Sequence, residues 1–421
     1  MSIKGVIVSK EQPKLGVVIG ADSTSGLIAN AIAVAGKFVL GTVYTLKSLR
    51  DAENLGIDED YDVANEVILY HHIKEFYEEV GLDSNTTLYL MGVAQSVTME
   101  DMVDVANDYA KKLINESEGL AFQIAVAYNP VLTGGTPYTP SITNGLDDDL
   151  LAAIPKAQEL AEYGFAKMYP TRFILEGKFL DTGTISSIQN LRAITNVEAP
   201  AVSVCIGQDF DFADSHATFE NYAAVGTALG TIAAARVFEN IGYVDKFNLT
   251  DISAGRWVKA GLSSHEDIMT LQDDWQTIED KGFIFPIKYS RLDGFRWNND
   301  HTCVPIIIDP DGTLNECYIH YSRTIDKASI LAYAALLPDV KSSQELDDDG
   351  KMALVVIANF KQKAEKKIDT DMAGEISGRV VTVDKDSNLL PPNPELLVGL
   401  KVQPFGVAET IKVQLKLVKT I

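Results

Sequence analysis

Cysteine, histidine and positive charge are scarce in this chain. Cys205, Cys303 and Cys317 are the three cysteines in 421 residues. Thiols so few and so scattered exclude a disulfide framework and a zinc ribbon, and they read as reduced, cytosolic, mostly buried groups. No apolar run reaches the roughly 18 residues that a membrane span needs. The opening residues, MSIKGVIVSKEQPKLG, lack the apolar core of a secretion signal. Lysine and arginine number 36 against 59 aspartates and glutamates, a net charge of −23. Such a surface repels phosphate backbones and anionic bilayers, so neither a nucleic-acid partner nor membrane insertion is expected.

Catalytic signatures are missing as well. The six histidines, His71, His72, His216, His265, His301 and His320, form no HExxH, and the adjacent His71 and His72 face different sides of a helix. No GxSxG elbow occurs. Asp300, His301 and Cys303 lie close in sequence, which is thin support for a nucleophile. The acidic clusters 147–149 and 347–349 do not fit a calcium loop. Counted from Glu345, position 12 is Val356 rather than the glutamate an EF-hand requires. The loop GADSTSG, residues 20–26, has Leu27 where a phosphate loop would carry lysine. Solvated turns and structural histidines are the plain readings, with no cofactor and no metal expected. The one enzymatic alternative is a cytosolic α/β enzyme or small-molecule-binding protein using residues 20–26 at its sheet crevice.

What is present is an alternation of apolar strands and helices. LGVVIGA (15–21), FVLGTVYTL (38–46), TLYLMGV (87–93), FQIAVAY, RFILEGKF and AVSVCIG read as strands. Helices are expected at SLRDAENLGI, with Ser48 as cap and Gly56 as stop, and at 64–80, 99–115, 148–168, 186–194 and about 217–241. Continuous apolar strands are buried on both faces, which implies a mainly parallel sheet covered by helices. Gly226 and Gly230 in VGTALGTIAAA allow close helix packing. After residue 281 the pattern changes. GFIFPIKY and FRWNND read as paired extended segments, 321–337 as a helix, and MALVVIANF, SGRVVTVD and LLVGLKVQ as strands.

The expected fold is therefore α/β plus α+β. It comprises an amino-terminal arm (1–15), an α/β domain (16–280) with an inserted subdomain near 110–215, an α+β domain (281–410) and a terminal strand (411–421). In the last of these, ETIKVQLKLVKTI, Ile411, Val413, Leu415 and Leu417 alternate with Lys412, Gln414 and Lys416. This is the period of a half-buried strand. Such a strand at a chain end leaves unpaired backbone groups that accept another chain. Two readings stand: its edge is completed by another subunit, with the 3–8 arm (Ile3, Val6, Val8) contributing, or it folds back beside LLVGLKVQ. Lys361, Lys363, Lys366 and Lys367 gather in FKQKAEKK as either a solvated face or a docking patch for an acidic partner.

The segment WQTIEDKGFIFPIKYSRLDGFRWNNDHTCVP, followed by YIHYSRTIDKASILAYAALLPDVKSS and ELDDDGKMALV, resembles the carboxyl-terminal region of contractile phage tail sheath proteins. The shared order is a G-[FY]-I-F strand, a G-x-x-x-N-D segment and an Arg–Asp–Lys helix ending in LLP-x-V. The likeness is specific at about 282–352 and looser elsewhere. It extends to the sheaths of prophages, phage-tail-like bacteriocins and other contractile injection systems. The resemblance implies a structural subunit, not an enzyme. Such subunits stack as rings, usually hexameric, around an inner tail tube protein, with baseplate and tail terminator proteins at the ends. Their carboxyl-terminal domain lies against the tube, their terminal extensions complete a neighbour's sheet, and stored conformational energy drives contraction. It also implies assembly in the host bacterial cytoplasm and residence in a virion tail or tail-like particle.

Overall fold

The computed structural model describes residues 22–415 and 417, apart from residues 82, 83, 85, 133–135, 184, 392 and 393. The arm residues Ile3, Val6 and Val8 and the expected strand at 15–21 lie outside the described residues. The chain divides into two compact units between Ser343 and Gln344, whereas the sequence reading divides it at 280/281. The stretch 281–343 joins the first unit for a physical reason. Phe283, Ile284, Phe285 and Trp297 are fully buried in the same core as the main sheet. Ile284 also bridges in parallel to Cys205 at the end of a sheet strand.

The first unit is built on a six-stranded sheet: β1 (Ser25–Asn30), β2 (Val43–Leu46), β3 (Leu88–Val93), β4 (Gln123–Ala127), β5 (Arg172–Glu176) and β6 (Val202–Cys205). The order is β6-β5-β4-β1-β3-β2. All neighbours run parallel except β2, which is antiparallel to β3. The central β1 is buried throughout. The sequence reading put Ser25 and Gly26 in a loop, and that reading is corrected. Gly26 must be small, because a Cβ there would lie 2.8 Å from Leu113 Cδ2 and 2.9 Å from Ile124 Cγ1. Ser25 hides its hydroxyl against the Ser23 carbonyl and the Gln123 amide.

Several expected helices are shorter, each for a local reason. Helix α1 (Leu49–Asn54) carries the capping box Ser48/Asp51 and gives way at Gly56, whose φ is +80°. The span 64–80 splits into α2 (Tyr61–Asn65) and α3 (Tyr70–Val80). Helix α2 stops at Glu66, which turns left-handed (φ +54°), and the Asp62 carboxylate accepts from the N–H groups of Leu69, Tyr70 and His71, capping α3. The span 99–115 splits into α4 (Met99–Val103) and α5 (Ala110–Glu116). There Asp104 turns extended and its side chain accepts from Ala106 N–H, an alternative to the helix ladder. Helix α6 (Asp148–Ala166) forms nearly as expected, while 186–194 holds only short 3₁₀ turns. After α7 (Phe210–Ala213), the long helix expected at 217–241 is confined to α8 (Val225–Ala234). Helix α8 crosses α3 so closely that Cβ atoms on Gly226 and Gly230 would lie 2.4 Å from the His72 carbonyl oxygen and 2.8 Å from that of Phe76.

Helix α9 (Trp275–Asp280) precedes a short antiparallel pair, Pro286–Ile287 with Arg296–Trp297. Helix α10 (Ile319–Leu336) passes the amino-terminal ends of the parallel strands. Its Asp326 meets Arg172, the first residue of β5, at 2.6 Å. Its Lys327 meets Asp22, just before β1, at 2.7 Å. Its Ser322 hydroxyl donates to the Pro200 carbonyl, just before β6.

Candidate functional site in the carboxyl-terminal unit

The second unit is one helix on one hairpin. Helix α11 (Leu354–Asp371) buries Val356, Phe360, Ala364 and Ile368, a stripe at intervals of four. This corrects the reading of MALVVIANF as a strand. Beneath it β7 (Gly378–Val383) pairs antiparallel with β8 (Val398–Gln403), in register from Gly378↔Gln403 to Val383↔Val398. Met352, Met372 and Val381 complete a small core. Among the described residues β7 and β8 pair only with each other. A lone two-stranded sheet is marginal in water, and both of its outer edges offer unpaired backbone groups. Val380, Leu390 and Leu397 add exposed apolar surface to the same unit, and Leu354 and Val355 do so at the start of α11.

The chain then continues into the alternating tail. Residues 411–415 lie in no strand of the structure. Ile411 is 80% exposed, Val413 75%, Leu415 90%, and Leu417 fully so. Four large apolar side chains on alternate positions therefore stand in water. Lys416 and Val418 lie outside the described residues. In the described structure β8 takes β7 as its partner, not the tail.

The four lysines sit on α11 among carboxylates. Lys361 lies 4.0 Å from Glu365 and Lys367 2.5 Å from Asp371, each one turn apart. Lys363 stands 6.0 Å from the centre of the Phe360 ring, and Lys366 is exposed. Glu365 and Asp369 also engage Arg379 of β7. The patch is thus interleaved with negative charge. The unit as a whole is close to neutral, in contrast to the rest of the chain. Residues 344–421 hold 11 lysines and arginines against 12 acids, so almost all of the net charge of −23 belongs to residues 1–343, and 411–421 hold three lysines and no acid.

The structure also locates the other groups singled out from sequence. Residues 22–24 precede β1, at the amino-terminal end of the strand. Ligand crevices in such sheets open at the opposite, carboxyl-terminal ends, and the Asp22 carboxylate is engaged by Lys327. His301 is buried between Glu279 and Arg192, and His320 is buried against Asp300. Burial pushes the Cys303 thiol up to about 12, which suits an inert thiol rather than a nucleophile. His71 is stacked on Phe212, and burial pushes it down to about 4. Among the described residues no cluster of three histidine, cysteine or acidic side chains is placed to hold a metal, and no helix is long and apolar enough to cross a membrane. The acidic turn at 347–349 closes on itself, with the Asp347 side chain accepting from Asp349 and Lys351 N–H groups.

A search by sequence finds no match among curated proteins. Solved structures do match in fold. The helical sheath of the anti-feeding prophage in its contracted state aligns over 99% of both chains, with a TM-score of 0.56 at 12% identity. A chain of the contracted anti-feeding prophage baseplate aligns over 100% of both, with 0.58 at 11% identity. The contracted sheath complex of an extracellular contractile injection system, PVC, aligns over 99% of this chain and 98% of that one, with 0.52 at 11% identity. At such identities the likeness establishes the fold. The model of the DUF2586 N-terminal domain matches residues 3–301. The chain thus belongs to the DUF2586 family, and its fold is that of contractile-injection-system sheath chains.

Proposed function

We propose that this chain is the structural subunit of a contractile sheath, polymerising around an inner tube and contracting to drive it through a target envelope. The observation that carries this reading is the pairing of two unfinished features in one unit: a two-stranded sheet with both edges open and an alternating tail with its apolar face in water. Each supplies what the other lacks when a second copy is present. The donated backbone provides ladder hydrogen bonds, and the alternate side chains set register. Residues 411–418 of one subunit, with the arm residues Ile3, Val6 and Val8 of a neighbour, complete such a sheet. The sheath-like fold over the whole chain supports the reading. As part of the same proposal, the subunits form hexameric rings around an inner tail tube protein, with baseplate and tail terminator proteins at the ends, and assemble in the bacterial cytoplasm.

The subunit is a mechanical element rather than an enzyme. The energy of contraction is then conformational, released as subunits repack, and no catalytic group is required. The lysines of α11 contribute the charge that meets an acidic tube.

Negative-stain microscopy of the concentrated chain, alone and with its tube protein, tests the proposal. Rings or tubes are expected, and deletion of residues 411–421 should leave both units folded while abolishing them. Normal assembly of the truncated chain overturns the linking role of the tail. A chain that stays monomeric with its tube at all concentrations overturns the sheath reading itself.

A further inference from the structure

The last stretch of the first unit presents two exposed surfaces of opposite charge. After α9 the chain runs parallel beside the end of β6. The Ile284 N–H donates to the Val204 carbonyl at 3.0 Å, and the Ile206 N–H to the Ile284 carbonyl at 2.9 Å. The chain then passes Pro286–Ile287 and turns through residues 288–293 beyond the carboxyl end of β6. On its return it reaches the beginning of that strand. There the Cys303 N–H donates to the Val202 carbonyl at 2.8 Å, and the Ala199 N–H to the Cys303 carbonyl at 3.1 Å. A hairpin, residues 304–316, leaves from this point. The loop and the hairpin therefore stand at opposite ends of one sheet edge.

The hairpin is apolar and acidic. Its turn is closed by the Gly312 N–H on the Asp309 carbonyl and the Asp309 N–H on the Thr313 carbonyl, and Ile308 bridges to Leu314. Ile306 is 51% exposed and Ile308 65%, and Ile307 and Leu314 are exposed beside them. A cleft of about 400 Å³ lies against the hairpin, with Pro200, Val304, Ile307 and Leu314 in its lining. Of the carboxylates in that lining, Glu316 is already held by Arg172. Glu198 and Asp309 are exposed, and no ion pair engages them among the described residues. Residues 304–316 hold no lysine or arginine.

The loop has the complementary character. Its sequence is KYSRLD, with Lys288, Tyr289, Arg291 and Leu292 all exposed. Lys288 stands 5.4 Å from the centre of the Phe295 ring. Neither Lys288 nor Arg291 forms an ion pair among the described residues. In a chain of net charge −23, two such cations flanking an aromatic ring are the rarer feature, and tyrosine and arginine are the side chains that most often anchor an interface.

We infer that the hairpin 304–316 of one subunit receives the loop 288–293 of a second copy of the chain. Tyr289 and Leu292 cover the exposed isoleucines and the apolar lining of the cleft, and Lys288 and Arg291 meet Glu198 and Asp309. Charge sets the orientation. Two hairpins repel each other, and so do two loops, which disfavours a two-fold contact and leaves a head-to-tail one. Head-to-tail contacts close into rings or continue as helices. The inference deepens the sheath reading, on which it rests for the presence of ordered copies. It adds a junction in the first unit that uses neither the arm nor the tail.

Cysteines placed beside the contact residues test it on the full-length chain. The three native cysteines are all buried and leave introduced thiols as the reactive ones. Ser290 and Thr313 are exposed neighbours of the named side chains. Mixing the single variants Ser290→Cys and Thr313→Cys under mild oxidant should give a covalent dimer at least about tenfold faster than mixing Ser290→Cys with Ser96→Cys, because docking raises the effective concentration. Equal rates overturn the inference. So does self-linking of either single variant as fast as the mixture, which marks a two-fold contact, and so does an intrachain disulfide in the double variant. Charge reversal is the second readout. Glu198→Lys/Asp309→Lys and Lys288→Glu/Arg291→Glu should each raise the assembly threshold about tenfold, with the melting temperature of the dilute subunit unchanged. The variant carrying all four changes should return to within about threefold of the parent, and losses that simply add overturn the inference. Rings without the cross-link remove this contact and leave the sheath reading standing, whereas the cross-link without rings or tubes does the reverse.

Discussion

Substituting Leu415→Ser isolates one side chain of the proposed junction. Leu415 is 90% exposed in the subunit, so its removal takes nothing from the folded monomer, and surface changes of this kind stay within about 0.5 kcal/mol. In the assembled sheet the same side chain is covered. Fully burying a leucine is worth roughly 1.5–3 kcal/mol, and each 1.4 kcal/mol is about a factor of ten in an equilibrium constant. The threshold concentration for assembly should therefore rise about 10- to 100-fold, while the melting temperature of the dilute subunit stays put. Sedimentation of assembled material across a concentration series gives the threshold, and a thermal melt below it gives the monomer control. The neighbouring Gln414→Ser, on the opposite face of a period-2 strand, should shift the threshold by less than about threefold.

Two outcomes refute this reasoning in different ways. Equal shifts for Leu415→Ser and Gln414→Ser mean that the tail does not bind as a strand with one buried face. A drop in the monomer melting temperature for Leu415→Ser means that the tail folds onto its own unit in solution. That is the second reading the alternation allows, and it removes the leucine from the junction.

Three further perturbations follow from the geometry. Gly226→Ala drives a Cβ to 2.4 Å from the His72 carbonyl oxygen and 2.5 Å from its Cα, rigid backbone that forces α3 and α8 apart; a net destabilisation of about 1–3 kcal/mol is expected, read as a lower urea midpoint, and an unchanged midpoint counts against close helix contact. Asp209 accepts from Trp257 N–H at 2.7 Å, but burial pushes its carboxyl up to about 7; the native state then keeps a proton that the unfolded chain releases near 3.8, so this group's contribution is complete below that value and is lost as pH rises through about 7. Asp209→Asn keeps the acceptor without the titration, so its stability relative to the parent should grow by a few kcal/mol between pH 4 and 8, with denaturant curves as the readout, and parallel pH profiles contradict the assignment. Reversing Lys363 and Lys366 to glutamate should weaken tube binding and flatten its salt dependence, whereas unchanged co-sedimentation across a salt series removes the α11 patch from the docking surface.

Much of the sheet was legible because its signal is local. Short apolar runs such as LYLMGV, internal except for a half-buried Tyr89, and QIAVA, internal throughout, are strands whose composition says so without reference to partners. The helix breaks were not legible, because they come from side chains that reach across turns. Nothing in the spacing of 99–115 announces that Asp104 will bond Ala106 and end a helix. The start of β1 was missed for a related reason: Ser25 and Gly26 look like loop residues, yet both are dictated by neighbours distant in sequence, Gln123 for one and Leu113 with Ile124 for the other. MALVVIANF was ambiguous on its own, since a short continuous apolar run fits a buried strand or a helix. The buried stripe Val356, Phe360, Ala364 and Ile368 decides for the helix, and it emerges only when the following lysine-rich residues are read in the same window.

The Arg–Asp–Lys helix shows how far a motif can be carried before geometry is needed. Its order in the sequence pointed to a family and gave no physical role. In the structure Arg323, Asp326 and Lys327 are buried on α10, and between them they address the entrances of two strands, β1 and β5. Asp326 holds Arg172, which also reaches Glu316 at 2.8 Å. Lys327 and Arg323 hold Asp22. Charges taken this far out of water are retained only where each has a partner, because removing one partner from such a pair typically costs about 3–5 kcal/mol. A helix ending in LLP thus fastens the bottoms of β1 and β5 and, with them, Asp22, the first described residue.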